Sequence, residues 1–235
     1  MAIFPLGCMR RSRPWCGPPP AVGVQEMETK DGPAELAPVE ELAVARARQS
    51  LALERGRHLH RLLQLLPDLA PEDRLSAARR YLEAGLAPEL AGNADALAGE
   101  ACAVLAEPAF AEVFSTRALT EVPLVGQLSL DDGSSVDVSG QIDRLCVTEA
   151  AVLVVDFKTD RRVPDATEDI GEAYVAQLAV YRALLQEIYP GRAVRAALLY
   201  TARPVLREIS QDRLEAALAA LTAQSGGPVM DGSLA

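Results

Sequence analysis

The chain has 235 residues, enough for one substantial core or for one domain that carries an appendage. It is 49% hydrophobic and 24% charged, as globular proteins are, and it has no run of the roughly 18 to 20 apolar residues that span a membrane. The formal net charge of -10 argues against an extended nucleic-acid-binding surface, because phosphate contacts rely on lysine and arginine.

The first 38 residues predict a disordered, proline-rich lead or linker. Prolines interrupt any regular element in this segment, at positions 14, 18, 19, 20, 33 and 38. We expect the folded domain over residues 39–225, divided into a helical part at 39–115 and an α/β core at 116–225. Residues 226–235 are expected to form a flexible tail.

A long amphipathic helix is predicted from Pro38 to Leu66. Its apolar face is marked by leucines at positions 59, 62, 63 and 66, which follow the i, i+3, i+4, i+7 spacing of one helix face. Pro67 is expected to end it, because proline cannot continue a helix. Further helices are predicted over residues 71–84, 94–105 and 108–114, so the first half of the domain should be helical.

The second half of the domain changes to strands. Three are predicted, over residues 118–130, 135–148 and 151–157, and Asp131-Asp-Gly133 supplies the turn of the first hairpin. A helix over 168–189, strands over 193–201 and 205–210, and a helix over 211–223 complete the order. A crossover helix sets the following strand parallel to an earlier one, so we predict an α/β fold with a mixed sheet.

The candidate chemistry lies on the second and third strands. Asp156 and Lys158 are two residues apart and share one face of a strand. Asp143, in Gly140-Gln-Ile-Asp143, belongs to the preceding strand, which a tight hairpin places alongside. Mg²⁺ prefers carboxylate oxygens, and a lysine ammonium stabilises negative charge on a phosphate in the transition state. Two carboxylates and a lysine are what a metal-dependent phosphodiesterase needs, although such residues also end ordinary surface strands.

Two helices offer further polar side chains. His60 lies one step around from the leucine face of the first long helix, and a neutral imidazole is a good ligand for Mn²⁺. On the crossover helix, Gln177 and Tyr181 lie at i and i+4, where they could hydrogen-bond a phosphate or the lysine. Each residue taken singly is also consistent with an ordinary packing role, and the case depends on their occurring together and in order.

The order of these motifs resembles the PD-(D/E)XK nuclease domain of the RecB and AddA kind. GxxxH begins at Gly56, GxxD at Gly140, VDFKT at Val155 and QxxxY at Gln177. The resemblance covers roughly residues 54–223. The phrase GRHLHRLLQLLP is most similar to the C-terminal nuclease domain of AddA, a helicase-nuclease of double-strand-break repair.

This resemblance implies a restriction-endonuclease-like core, with a mixed central sheet flanked by helices and an N-terminal helical part. It also implies a role for each motif residue. Glu121, in the strand that precedes Asp143, is a weaker candidate. The implied metal is Mg²⁺ or Mn²⁺, and its implied ligands are His60, Asp143, Asp156 and the carbonyl of Phe157. The implied catalytic lysine is Lys158. Gln177 and Tyr181 would contact DNA or order the site.

The resulting hypothesis is a Mg²⁺- or Mn²⁺-dependent exonuclease that acts on single-stranded DNA or unwound duplex ends in recombinational repair. A helicase or an AddB-like subunit is the expected partner, because the acidic chain should hold DNA weakly by itself. A local excess of basic residues is close to the site in sequence: Arg55, Arg57, Arg61, Lys158, Arg161 and Arg162. Two alternatives stay open: a non-catalytic nuclease-fold module that docks on a helicase or another repair partner, and an unrelated α/β protein.

Two departures from the resembled proteins shape these expectations. Related nucleases carry an iron-sulfur cluster on four cysteines, three of them near the C-terminus, but the last of the four cysteines here is Cys146, so we expect no cluster. The cysteines are scattered and form no close pair, so we expect the protein to reside in a reducing cytoplasm. No GxxxxGK[ST] phosphate loop is present in this sequence, so we expect a fragment of a helicase-nuclease or a stand-alone nuclease domain.

Overall fold

A computed structural model describes residues 39–223, which lie within one unit of the chain, Ala34–Ala235. The predictions for the lead at 1–38 and the tail at 226–235 therefore lie outside the described residues. The helices are α1 Val39–Leu65, α2 Pro71–Gly85, α3 Ala94–Ala106, α4 Glu172–Ile188 and α5 Gln211–Ala223. The strands are β1 Leu119–Ser129, β2 Ser135–Val147, β3 Ala151–Lys158, β4 Ala193–Tyr200 and β5 Val205–Ile209.

Helix α1 buries the leucine face that its sequence predicts. Leu59, Leu62 and Leu63 are at most 1% exposed, and burying such a side chain contributes about 1.5–3 kcal/mol. The helix ends at Leu65, and Pro67 lies in the short 3₁₀ turn that follows. Of the helices in residues 39–223, none is both long and apolar enough to cross a membrane.

The five strands form one mixed sheet in the order β1-β2-β3-β4-β5. The first three are antiparallel neighbours, β4 runs parallel to β3 after the crossover helix α4, and β5 is antiparallel to β4. The predicted fold class is confirmed: a mixed sheet is flanked by helices and preceded by a helical part. Strand β3 is central, so the residues that it carries lie in the middle of the sheet.

The sheet separates two apolar layers, and the side chains of β3 alternate between them. Val155 and Phe157 pack with α1, α2 and α3. Val152 and Val154 pack with α4 and α5. Because alternate residues of a strand share a face, Asp156 continues the row that faces α4.

The structure differs from the predicted elements at two places. The helix predicted over residues 108–114 is only a 3₁₀ turn at Pro108–Phe110, where the carboxylate of Glu107 accepts a hydrogen bond from the amide of Ala109. Helix α4 begins at Glu172 rather than near residue 168. Arg213 explains the later start, because it donates to the carbonyls of Thr167 and Ile170 and so holds the preceding segment as a loop.

Candidate active site

Helix α1 lies against the end of β3 because a glycine faces the strand. A Cβ at Gly56 would lie only 3.1 Å from the hydroxyl of Thr159, so the glycine lets the helix approach this closely without crowding. Arg55 holds the contact, since it donates to the carbonyl of Thr159 at 2.6 Å and pairs with Glu100 at 2.6 Å. This close approach places His60, one turn further along α1, beside the sheet.

Asp143 lies where β2 and β3 stop pairing. At this end of the two strands, the last residues to pair are Arg144 and Val155. Just beyond them, Asp143 Oδ2 accepts a 2.6 Å hydrogen bond from the backbone amide of Phe157, and Oδ1 lies 3.1 Å from Nδ1 of His60. The carboxylate therefore links β2, β3 and α1 at one point.

The face alternation of β2 shifts at Asp143. Ile142 packs in the layer that contains α4, whereas Arg144 reaches across the other layer to the carbonyl of Leu63 at 2.7 Å. Residues two apart on a regular strand share a face, so the strand is irregular between them. This irregularity lets Asp143 reach α1.

Glu121 lies opposite Asp143 on β1. It falls between the strand pairs Thr120 with Arg144 and Val122 with Ile142 and has a φ of 50°, a left-handed conformation that is uncommon outside glycine. Gln141 donates a hydrogen bond to its carboxylate. Residues held in such a conformation cluster at functional sites.

One group of possible metal ligands consists of His60, Glu121 and Asp143. One ligand atom from each lies within 4.8 Å of the others. The sequence singled out His60 and Asp143 and treated Glu121 only as a weaker candidate. Its strand position was visible in the sequence, but its left-handed backbone was not.

Asp156 and Lys158 meet as their spacing predicts. Lys158 Nζ lies 2.8 Å from Asp156 Oδ2, and both side chains are largely buried. Lys158 also donates to Gln177 Oε1 at 3.3 Å, and the amide of Gln177 donates to the hydroxyl of Tyr181 at 3.2 Å. The predicted residues of β3 and α4 therefore form one hydrogen-bonded row.

A second glycine makes room for the end of this row. Tyr181 donates to the carbonyl of Gln141 at 3.4 Å. A Cβ at Gly140 would overlap the Tyr181 hydroxyl and lie 2.7 Å from its Cε1. The glycine of the GxxD motif is therefore explained by the tyrosine of the QxxxY motif.

Tyr174 is a site residue that the sequence did not single out. Lys158 Nζ lies 3.8 Å from the centroid of its ring, and its hydroxyl donates to Asp160 Oδ2 at 2.9 Å. One signal was available, because Tyr174, Gln177 and Tyr181 are spaced at i, i+3 and i+7 along α4.

His58 lies apart from this row. It contacts Tyr81 at 3.3 Å and Glu54 at 3.8 Å on another side of α1.

The carboxylates at the site repel one another. Burial raises the pKa of Asp156; the ammonium of Lys158 offsets part of this effect, and the charge of Asp143 adds to it. Burial and Asp143 likewise raise the pKa of Glu121. At His60, burial lowers the pKa, but the nearby carboxylates outweigh it, Asp143 first, so the net shift is upward. A cation among these groups would relieve the repulsion.

The donor set fits a hard divalent cation such as Mg²⁺ or Mn²⁺. Carboxylate oxygens suit both ions, and an imidazole nitrogen suits manganese. His60, Glu121 and Asp143 could hold such an ion. Asp156 is not in this group of three, but it is close enough to Asp143 for the two charges to interact, and the Oδ2 atom of Asp156 is paired with Lys158. Phe157 contributes its amide to Asp143, and the ligand role of its carbonyl stays a prediction.

One comparison with known proteins agrees with the fold class. The family model described as PD-(D/E)XK nuclease superfamily matches residues 36–228. A search of curated proteins finds no match. Among solved structures, one described as "Crystal structure of SSO0001" is 16% identical over 72% of this chain and 87% of that chain, with a TM-score of 0.32, which is too low to support an argument. The family match spans most of the sequence, and the chain therefore belongs to the PD-(D/E)XK nuclease superfamily.

Proposed function

We propose that the chain is a metal-dependent deoxyribonuclease whose active site consists of His60, Asp143, Asp156, Lys158 and the Gln177–Tyr181 pair. The observation that carries the proposal is the meeting of Asp156 and Lys158, at 2.8 Å, beside the cluster of His60 and Asp143. Nucleases of this superfamily typically depend on a divalent metal, and the clustered carboxylates suit one.

In this proposal, the metal ligands are His60, Asp143, Asp156 and the carbonyl of Phe157, and Glu121 lies close enough to add a carboxylate. When bound, Mg²⁺ or Mn²⁺ would supply a water of lowered pKa and would neutralise charge on the scissile phosphate. The chain's own part is to hold these oxygens close together before any ion binds. The amide of Phe157 contributes to this by fixing one oxygen of Asp143.

Lys158 is the proposed catalytic lysine. Its ammonium donates to Gln177, which donates to Tyr181, so the row of donors runs from the lysine into α4. The row keeps the lysine extended at the end of β3, where it can orient the attacking water or stabilise charge on the phosphate. Gln177 and Tyr181 thus order the site, and they could also contact DNA.

The proposed substrate is single-stranded DNA or an unwound duplex end. The proposed action is exonucleolytic, on the strand that ends 3′ at the break. This finer assignment rests on the AddA-like motif phrase that begins at Gly56. We extend it to a nuclease domain over residues 39–225 that works in the cytoplasm, in recombinational double-strand-break repair. The net charge of -10 supports the partner proposal, since a helicase or an AddB-like subunit would add the DNA-binding surface that an acidic chain lacks.

The test is cleavage of single-stranded DNA labelled at either end, with Mg²⁺, Mn²⁺ or EDTA. Wild-type protein should shorten linear strands only with metal and leave circular strands intact. Asp156→Asn and Lys158→Met should each lower kcat by about 10²–10³-fold, as expected when one electrostatic contributor is removed. Asp137→Asn is the matched control, because this exposed aspartate lies on β2 and its partner is Gln127.

Each outcome decides one part of the proposal. Equal activity of the Asp156 and Lys158 variants would overturn the site assignment. Cleavage of circular strands at the same rate would replace exonuclease action with endonuclease action. If the wild-type protein cuts nothing with either metal, even on strands unwound by an added helicase, the non-catalytic docking module would be the better account.

A further inference from the structure

The ammonium of Lys158 is covered by the ring of Tyr174. The distance from Nζ to the ring centroid is 3.8 Å, well inside the roughly 6 Å range of a cation–π contact. Tyr174 is on the first turn of α4, and its hydroxyl is fixed by Asp160 at 2.9 Å. The ring is therefore held at both ends, by the helix and by the residue two positions after the lysine.

Within residues 39–223, three side chains contact the ammonium of Lys158, and one of them is also a proposed metal ligand. Asp156 Oδ2, at 2.8 Å, is the nearest charge. In the proposed function the same carboxylate binds a metal ion, which shares its negative charge between two cations and weakens the pair with the lysine. The contacts that do not change in this way are Gln177 Oε1 at 3.3 Å and the face of Tyr174.

We propose that Tyr174 is a positioning residue for Lys158, and that Asp160 fixes the ring of Tyr174. The ring face attracts the ammonium without offering a lone pair, so the ring and Gln177 hold the lysine while the N–H group that faces Asp156 can turn to a phosphate oxygen. This proposal rests on the proposed function. It adds a residue outside the motifs and explains how the lysine keeps its place when Asp156 binds a metal.

Kinetics separate positioning from a structural role. Tyr174→Leu removes the ring face and should lower kcat on the order of tenfold, with the KM for DNA unchanged. Tyr174→Phe keeps the ring face but loses the hydrogen bond to Asp160, so it should restore kcat only in part. Asp160→Asn retains a hydrogen-bond acceptor and should stay near wild type. The matched control is Tyr189→Leu, which removes a ring that faces Arg192 at the other end of α4.

A double-mutant cycle tests whether Tyr174 acts through Lys158. In a Lys158→Met background, Tyr174→Leu should cause no further loss of kcat, because the group that it positions is gone. A full additional tenfold loss in that background would overturn the proposal, since it would show that the ring acts on something else. An unchanged kcat in the single Tyr174→Leu variant would overturn it as well.

A second measurement needs no nuclease activity. The chain has only two lysines, Lys30 and Lys158, so selective ¹³C labelling of lysine gives two sets of side-chain signals, assigned with Lys158→Met. The ε-methylene of Lys158 should be shifted upfield by the ring current of Tyr174. The shift should be retained in Tyr174→Phe and lost in Tyr174→Leu.

The two measurements distinguish the failure of this proposal from that of the proposed function. If the protein cuts DNA but Lys158 shows no upfield shift, or shows the same shift in Tyr174→Leu, the positioning proposal is wrong and the nuclease assignment stands. If the shift is present and lost as expected but wild-type protein cuts no DNA with either metal, the proposed function is wrong and the contact stands without a catalytic purpose.

Discussion

Asp143 takes the place of a backbone partner for Phe157. Its Oδ2 accepts the amide of Phe157 at 2.6 Å, immediately beyond the last pair of β2 with β3. The hydrogen bond satisfies a buried donor that the strand ladder would otherwise use. One side chain thereby ends the pairing of β2 with β3 and presents its other oxygen to His60. The same residue therefore both separates the two strands and forms part of the site.

This double role predicts different effects for two substitutions of Asp143. Asp143→Asn keeps an acceptor for the Phe157 amide, so it should fold normally while losing about 10²-fold or more of the cleavage rate. Asp143→Ala should lose the same activity. It should also lower the free energy of unfolding by about 1–3 kcal/mol, because the amide loses its partner. Urea denaturation in EDTA measures the difference, and equal stability of the two variants would show that the hydrogen bond does not hold the strands.

Glu121 should destabilise the metal-free protein at neutral pH. Its pKa in the folded state is raised, by burial first and by Asp143 second, so the folded protein holds this proton more tightly than the unfolded chain does. The folded state is therefore destabilised when the pH exceeds the ordinary value of 4.5 and the carboxyl ionises. Glu121→Gln should raise the Tm in EDTA at pH 7, and the gain should disappear as the pH falls to 4.5.

Added Mn²⁺ should make the wild type melt at a higher Tm than the Glu121→Gln variant, the reverse of their order in EDTA. If Glu121 contributes to a metal site, the wild type gains stability from bound ion, by about 2.7 kcal/mol at one hundred times the dissociation constant, and the Gln variant gains less. Thermal melts with and without Mn²⁺ measure this. A Tm in EDTA that does not change on Glu121→Gln would contradict the repulsion between Glu121 and Asp143.

Gly140 should tolerate no side chain. Gly140→Ala would force the buried ring of Tyr181 aside and so displace the row that leads through Gln177 to Lys158. We expect a loss of about 1–3 kcal/mol of stability, typical of overpacking, together with a lower kcat. Gly99→Ala on α3 is the matched control, because a Cβ at Gly99 would meet no atom within 4 Å. Similar losses in both variants would remove the special role of Gly140.

The sequence predicted the elements whose signals are local. The period of the leucines predicted α1, and the Asp-Asp-Gly turn predicted the hairpin of β1 and β2. The crossover rule predicted a strand parallel to an earlier one, and in the structure that earlier strand is β3. The meeting of Asp156 with Lys158 followed from the two-residue period of a strand. These features need only short-range geometry, and the structure has them.

Other features depend on contacts between distant residues. The late start of α4 is set by Arg213, which lies 46 residues after Thr167, and no local pattern announces it. The shift of face at Asp143 arises from competition between strand pairing and a side-chain hydrogen bond. Tyr174 was visible as part of an i, i+3, i+7 row, but its place over Lys158 depends on how closely α4 approaches β3.

The exposed arginines beside the site should carry the salt dependence of DNA binding. Arg57 follows the glycine that lies against Thr159, and Arg161 follows that threonine by two residues, so the two chain segments lie together at the end of β3. Each phosphate contact on a single strand changes the slope of log K against log salt by about 0.7. Arg57→Gln and Arg161→Gln should each reduce the slope by about that amount, measured by fluorescence anisotropy in EDTA so that no cleavage occurs.

A matched control makes the salt experiment specific. Arg80 is also exposed, but it is on α2, a helix that contributes no residue to the site, so Arg80→Gln should leave the slope unchanged. Each of the three variants removes one positive charge, so the comparison separates the loss of a phosphate contact from the general effect of net charge on DNA affinity. Equal slopes for all three variants and the wild type would mean that DNA approaches the site by another path. Equal reductions in all three would mean that only the overall charge matters.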